Sequence, residues 1–166
     1  CESVAADLTT FVYGRQLDDD ASIMIRMSEN VKGNLSISQI ATGQENNFTI
    51  SIYGEKGALH WAQENPNYAK FSQVGKADQI ITRGGAIQND NSYAPIRIPP
   101  GHPEGYLEGF AQIYSDAADI ILNHKNRNEL LELLPGGDSG LQIMKFINAS
   151  VNSSKNNSIW TDLSSI

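Results

Sequence analysis

Among the side chains able to do chemistry, the three histidines come first: His60, His102 and His124. No two stand at metal-ligand spacing, which argues against a zinc centre. His102 follows Pro99-Pro100-Gly101 and precedes Pro103, at the expected start of a helix. A ring there can meet a substrate beside the unpaired N–H groups of the first turn, or serve as a cap or loop-packing residue. His60 sits in a strand beside Trp61 and reads as packing or surface. His124 follows a helical stripe, where a basic group suits the negative end of the dipole. Gln39 places an amide in the apolar register, either satisfied internally or turned to a ligand. Trp61 and Trp160 have faces that can stack on a sugar, though core packing explains them as well. Asp18-Asp19-Asp20 lacks the further ligands and glycine of a calcium loop and reads as a solvated turn. The sequence contains no Gly-x-Gly-x-x-Gly, no P-loop and no Gly-x-Ser-x-Gly elbow. An independent catalytic centre is therefore not expected.

These residues must be positioned by two kinds of element. Up to about residue 83 the period is two. Val4, Ala6, Leu8, Thr10 and Val12 share a face, with a strand expected over 4–13. Ala21, Ile23, Ile25 and Met27 alternate with Ser22, Met24, Arg26 and Ser28, before a hairpin signal at Ser28-Glu29-Asn30. Val31, Gly33, Leu35 and Ile37 continue the pattern, then Phe48, Ile50 and Ile52. Gly54-Glu55-Lys56-Gly57 reverses the chain into 58–63, and weaker strands follow at 68–73 and 79–82. Short links between alternating strands predict an antiparallel meander with one buried face.

A loop is expected over 84–100. A helix should start at Pro103-Glu104, carrying Tyr106, Phe110, Ile113, Tyr114, Ala117, Ile120 and Ile121 as its stripe. On this pattern Tyr106 belongs to the core. A second helix follows Pro135-Gly136-Gly137, capped by Asp138 or Ser139, with Leu141, Met144, Ile147 and Val151 as its apolar face. Ser153 to Asn157 reads as a polar link and Ile159 to Leu163 as a last strand. The fold class is α+β, an open, largely antiparallel sheet with helices on one face.

The chain has 166 residues, one domain's worth, and 40% of them are hydrophobic, enough for a buried core. A formal charge of −7 argues against nucleic acid and anionic membrane surfaces as partners. No apolar run is long enough to span a bilayer. The lone Cys1 excludes an internal disulfide and a cysteine zinc site. Asn34, Asn47, Asn148, Asn152 and Asn156 match N-x-S/T, as chance allows in an Asn- and Ser-rich chain. An opening that falls inside a strand suggests a piece of a longer protein. The short, little-charged side chains of Ser36, Ser38, Thr49, Ser51 and Tyr53 suggest an outer sheet face used as a protein interface.

Several strings then carry a resemblance. Leu17-Asp18-Asp19, the run Gly33 to Gly43, Glu45-Asn46, the run Tyr53 to Trp61, and Gly101-His102-Pro103-Glu104-Gly105-Tyr106 occur in this order. Together they resemble the C-terminal domain of the glucose–fructose oxidoreductase/inositol dehydrogenase (Gfo/Idh/MocA) family, from about Val4 to Leu163. The resemblance implies a dihydrodipicolinate-reductase-like sheet domain occupying 1–166. It would be the substrate-binding and oligomerisation half of an NAD(P)-dependent oxidoreductase acting on a sugar or polyol hydroxyl. The Rossmann domain that holds NAD or NADP would lie outside the chain. The family's Gly-rich loop, E-K-P lysine and D-x-x-x-H pair have no counterpart here, so the piece alone is expected to be neither catalytic nor cofactor-binding. The family's usual Asp-Gly reads Ser139-Gly140, and Gly109 stands where Ala is usual. His102, Tyr106 and Gln39 are the substrate-contact candidates. A homodimer or homotetramer through the open sheet face, a sugar-like ligand and a cytoplasmic location complete the expectation. A non-enzymatic sheet module for dimerisation or carbohydrate binding is the alternative.

Overall fold

The computed structural model describes residues 1–85, 96–122 and 127–166. His124 and most of the expected 84–100 loop lie outside them. The chain divides into two compact units, Cys1–Gly43 with Leu131–Ile166, and Gln44–Leu130.

The first unit holds β1 (Ser3–Thr9), β2 (Asp20–Arg26) and β3 (Lys32–Ser38). The late strand β8 (Thr161–Asp162) completes a sheet in the order β3-β2-β1-β8. Every pairing is antiparallel, with Val4 opposite Ile25, Ala6 opposite Ile23 and Ile23 opposite Leu35. The period of two therefore sorts the apolar set onto one face. The β2–β3 reversal puts Glu29 (φ 55°) and Asn30 (φ 62°) in the left-handed region, and Val31 N–H donates to the Ser28 carbonyl at 3.2 Å. This is a type I′ geometry, which matches the twist of the flanking strands.

β1 stops at Thr9, short of the expected Tyr13, because Asp19 takes over the next backbone donors. Its carboxylate accepts Phe11 N–H at 2.8 Å and Val12 N–H at 3.0 Å, and pairs with Arg15 at 3.1 Å. These contacts, the Phe11 N–H foremost, hold its pKa below the ordinary carboxylate value.

The helix α3 (Gly137–Lys155) packs on this sheet, and its packed face differs from the expected stripe. Leu141, Met144 and Ile147 are exposed, whereas Ala149, Ser150 and Ser153 are buried and Phe146 packs on the core. Small residues on both sides, Ala6 and Ala21 against Ala149, let the helix sit close enough for its hydroxyls to reach β1. Ser153 Oγ accepts the Ala6 N–H at 2.9 Å and donates to the Ile159 carbonyl at 2.6 Å. Ser154 Oγ accepts the Leu8 N–H at 3.0 Å. The expected polar link is thus the last turn of α3, and its hydroxyls replace a neighbouring strand beyond the short β8. The N-cap is Gly136, with Asp138 in the first turn, where a carboxylate suits the dipole. The last strand contracts to Thr161–Asp162. Arg26 lies 3.8 Å over the Trp160 ring, so that indole carries a guanidinium.

The second unit holds a separate antiparallel sheet, β4 (Thr49–Gly54), β5 (Gly57–Ala62), β6 (Tyr68–Gln73) and β7 (Gln79–Thr82), paired in chain order. The expected meander is therefore split after β3, where Gly43 (φ 90°), Glu45 (φ 50°) and Asn47 (φ 38°) bend the chain out of strand geometry. Register gives this sheet two unlike faces. Ile50, Ile52, Leu59, Trp61, Phe71 and Ile81 share one, and Ser51, Tyr53, His60, Lys70 and Ser72 the other. At the β4–β5 turn a Cβ on Gly57 would stand 2.4 Å from the Ser72 carbonyl oxygen, so only glycine fits there.

The helix α1 (Tyr106–Ile121) begins after Gly105 rather than at Pro103. Its expected core stripe is exposed at Tyr106, Phe110, Ile113, Tyr114 and Ile121. A short α2 (Arg127–Leu133) follows, in a stretch where the sequence pattern named no element.

Candidate functional site

The string Gly101 to Tyr106 lies in the second unit, and its anchor is a buried ion pair. Glu104, with its side chain 6% exposed, pairs with Arg83, the residue just past β7. Its Oε1 also accepts the backbone N–H groups of Arg97 at 2.6 Å and Ile98 at 3.1 Å. Arg83 distributes its remaining donors over Asn67 Oδ1 (3.0 Å), the Ile98 carbonyl (3.1 Å) and the His102 carbonyl (2.5 Å). Asn67, just before β6, meets the Glu104 backbone from both sides. Its Oδ1 accepts the Glu104 N–H at 3.0 Å and its Nδ2 donates to the Glu104 carbonyl at 2.9 Å. Every charge in this group has an opposite charge or several hydrogen bonds, the condition for burying it.

The anchor fixes the entry to α1. Gly105 N–H donates to the Glu108 carboxylate at 2.9 Å. That contact, foremost, lowers the pKa of Glu108 from its ordinary value. Next to it, the exposed His102 ring holds the Pro99 carbonyl through Nδ1 at 3.2 Å, and Tyr106 is 67% exposed with its ring 4.7 Å from that of Phe110. Tyr106 is thus a surface residue at the helix start, not the core residue its place in the stripe predicted.

His102 and Tyr106 therefore share one loop–helix junction. Gln39 belongs to the first unit, where it is exposed and its N–H donates to the Asp19 carbonyl at 2.8 Å. His60 lies on the polar face of its sheet, with Nδ1 2.8 Å from Ser51 Oγ. Trp61 packs edge-on against Phe48 and donates to the Pro66 carbonyl, so it is engaged in packing. A shallow concavity of about 450 Å3 in the second unit, lined by Ile52, Gly54 to Leu59, Phe71 and Gln73, contains none of the three candidates. No cluster of potential metal ligands occurs among the described residues. Arg83, Asn67 and Glu104 escaped the sequence reading as a group because they lie far apart along the chain. The one available signal was a lone arginine ending the strand region and an acid inside the Gly101–Tyr106 string.

Comparison with known proteins places this geometry in context. Residues 1–60 match the family model for the GFO/IDH/MocA C-terminal domain. The chain is 29% identical to the uncharacterized oxidoreductase YfiI of Bacillus subtilis, over 97% of this chain and 42% of that protein. It superposes on an oxidoreductase from Sinorhizobium meliloti with a TM-score of 0.88 and 44% identity, over 96% of this chain and 45% of the other. An inositol dehydrogenase homolog from Azotobacter vinelandii, solved with NADH and myo-inositol, shares the fold at a TM-score of 0.86 and 23% identity, over 97% and 44% of the two chains. The chain thus spans less than half the length of these relatives. The match over residues 1–60, the antiparallel sheets and the near-full-length superposition agree, and the chain is similar to C-terminal domains of the GFO/IDH/MocA family.

Proposed function

We propose that this chain is the substrate-binding and oligomerisation half of an NAD(P)-dependent oxidoreductase that acts on a sugar or polyol hydroxyl, with 1–166 as one C-terminal domain. The observation that carries the reading is the junction at Gly101–Tyr106. A buried ion pair braces a loop whose His102 and Tyr106 side chains are exposed. Rigid backbone beneath exposed, hydrogen-bonding side chains suits recognition of a polyhydroxy ligand. Gln39, in the first unit, is a separate candidate contact. The relatives support the substrate class, since one was solved with myo-inositol and another, a levoglucosan dehydrogenase, with levoglucosan.

Among the described residues, the starts of α1 and α3 offer a dinucleotide no fitting cradle. Phosphates favour helix N-termini with open N–H groups and no acid in the way. Here Glu108 occupies the start of α1 and Asp138 the first turn of α3. NAD or NADP would be held by another part of the enzyme, and this half supplies substrate contacts and assembly. Assembly as a homodimer or homotetramer would use the outer face of a sheet, either that of the first, where Ser22 pairs with Ser36, or that of the second, where Tyr53 is 81% exposed. No helix among the described residues is long and apolar enough to cross a membrane. A cytoplasmic location is part of the same proposal, and the net charge of −7 disfavours nucleic acid and anionic membrane as partners.

The test is titration of the 166-residue chain with myo-inositol, followed by NMR. The reading expects saturable shifts at His102 and Tyr106 that vanish in His102→Ala. Shifts that map elsewhere would sink the assignment of the site. Light scattering tests assembly: a dimer or tetramer that dissociates on Ser38→Glu or Ser51→Glu supports the sheet face, and a monomer refutes it.

A further inference from the structure

The ring of His102 sits on a turn whose ends are tied to one ion pair. Ile98 gives its N–H to Glu104 and its carbonyl to Arg83, while the His102 carbonyl takes a second Arg83 donor. Between these ties run Pro99, Pro100 and Gly101, the last at φ 85°, so the turn has little freedom of its own. Inside it the His102 N–H and Nδ1 both lie within hydrogen-bond distance of the Pro99 carbonyl. A carbonyl only accepts, so Nδ1 must be the donor. In the neutral ring the lone pair then resides on Nε2, which has no partner among the described residues.

We propose that Glu104, acting through Arg83 and with Asn67 clamping its backbone, is a positioning residue that holds His102 as its Nδ1–H tautomer and leaves Nε2 as a hydrogen-bond acceptor for a substrate hydroxyl. The ligand half of this statement rests on His102 being a substrate contact; the tautomer half does not. The chemistry selects a polyol over a carboxylate or a ketone, because an unprotonated Nε2 accepts an O–H and offers nothing to a ligand that only accepts.

The experiment is long-range 15N–1H correlation of the imidazole nitrogens in the ligand-free 166-residue chain, at a pH where the ring is neutral. Wild type should show a protonated Nδ1 and an unprotonated Nε2. Glu104→Gln should lose Nδ1–H as the majority tautomer. Arg83→Lys keeps the charge but loses the fork that grips Ile98 and His102, and it should do the same, which keeps the test open if Glu104→Gln does not fold. A wild-type ring with Nε2–H, or an unchanged tautomer in a folded variant, overturns the proposal. A purely structural role for Glu104 would leave the tautomer in place while lowering stability, so the two are separable. If the tautomer behaves as stated and myo-inositol still leaves the His102 signals unmoved, the positioning role stands and the substrate reading falls.

Discussion

Replacing Ser153 with alanine tests the seam between α3 and β1. The side chain is wholly buried and makes two hydrogen bonds, accepting from Ala6 N–H at 2.9 Å and donating to the Ile159 carbonyl at 2.6 Å. Alanine removes one oxygen and strands two backbone groups. An unsatisfied buried group costs about 1–3 kcal/mol, and the Ala6 N–H, enclosed by core residues, should pay most of it. We expect a loss of about 2–3 kcal/mol. In urea, with a slope of about 2 kcal/mol/M for a domain of this size, the midpoint should fall by about 1 M. Hydrogen exchange at the Ala6 amide should accelerate by at least about tenfold, since 1.4 kcal/mol is a factor of ten. Ser154→Ala, at a part-buried site, should cost about 1 kcal/mol. A Ser153→Ala midpoint within about 0.2 M of wild type, with slow exchange at Ala6, would refute the idea that hydroxyls close this strand.

Three further outcomes follow from local geometry. Gly57→Ala places a Cβ 2.4 Å from the Ser72 carbonyl oxygen, and thermal unfolding should register a loss of about 2 kcal/mol or more as β5 moves off β6. Glu29→Gly relieves a left-handed residue at φ 55° and should raise stability by about 1 kcal/mol; a loss would show that the Glu29 side chain matters more than its backbone. Asp19 has a folded pKa below its ordinary value, so its contribution is complete above that ordinary value and is lost as pH falls through the lowered one. Urea midpoints should therefore drop on acidification below about pH 4, and Asp19→Asn should remove that part of the drop. Equal acid sensitivity in both would assign it to other carboxylates.

Alternation made the strands legible. Residues such as Ala21, Ile23 and Ile25 cannot share a face unless β2 pairs as it does, and 68–73 and 79–82 form strands within the limits the pattern set. Helix faces were less legible because apolar content and burial part company here. Leu141 and Met144 are exposed while Ser150 and Ser153 are buried, since close approach to an alanine-rich sheet favours small side chains. The bend between β3 and β4 escaped because non-glycine left-handed residues such as Glu45 carry little signal. At the candidate site, His102 and Tyr106 stood out by their place before a helix. The brace beneath them did not, because Asn67, Arg83 and Glu104 come together only through the fold of the second unit.

An open strand edge is a template for foreign strands, and β1 would be one from Ala5 onward, since β8 pairs only with Ser3 and Val4. The hydroxyls of Ser153 and Ser154 occupy the Ala6 and Leu8 donors that an incoming chain would need. Colloidal behaviour is thereby tied to the last turn of a helix. Any event that frays α3 near Lys155 exposes a hydrophobic strand ready to recruit copies of itself, so aggregation should begin from a native-like chain well before global unfolding.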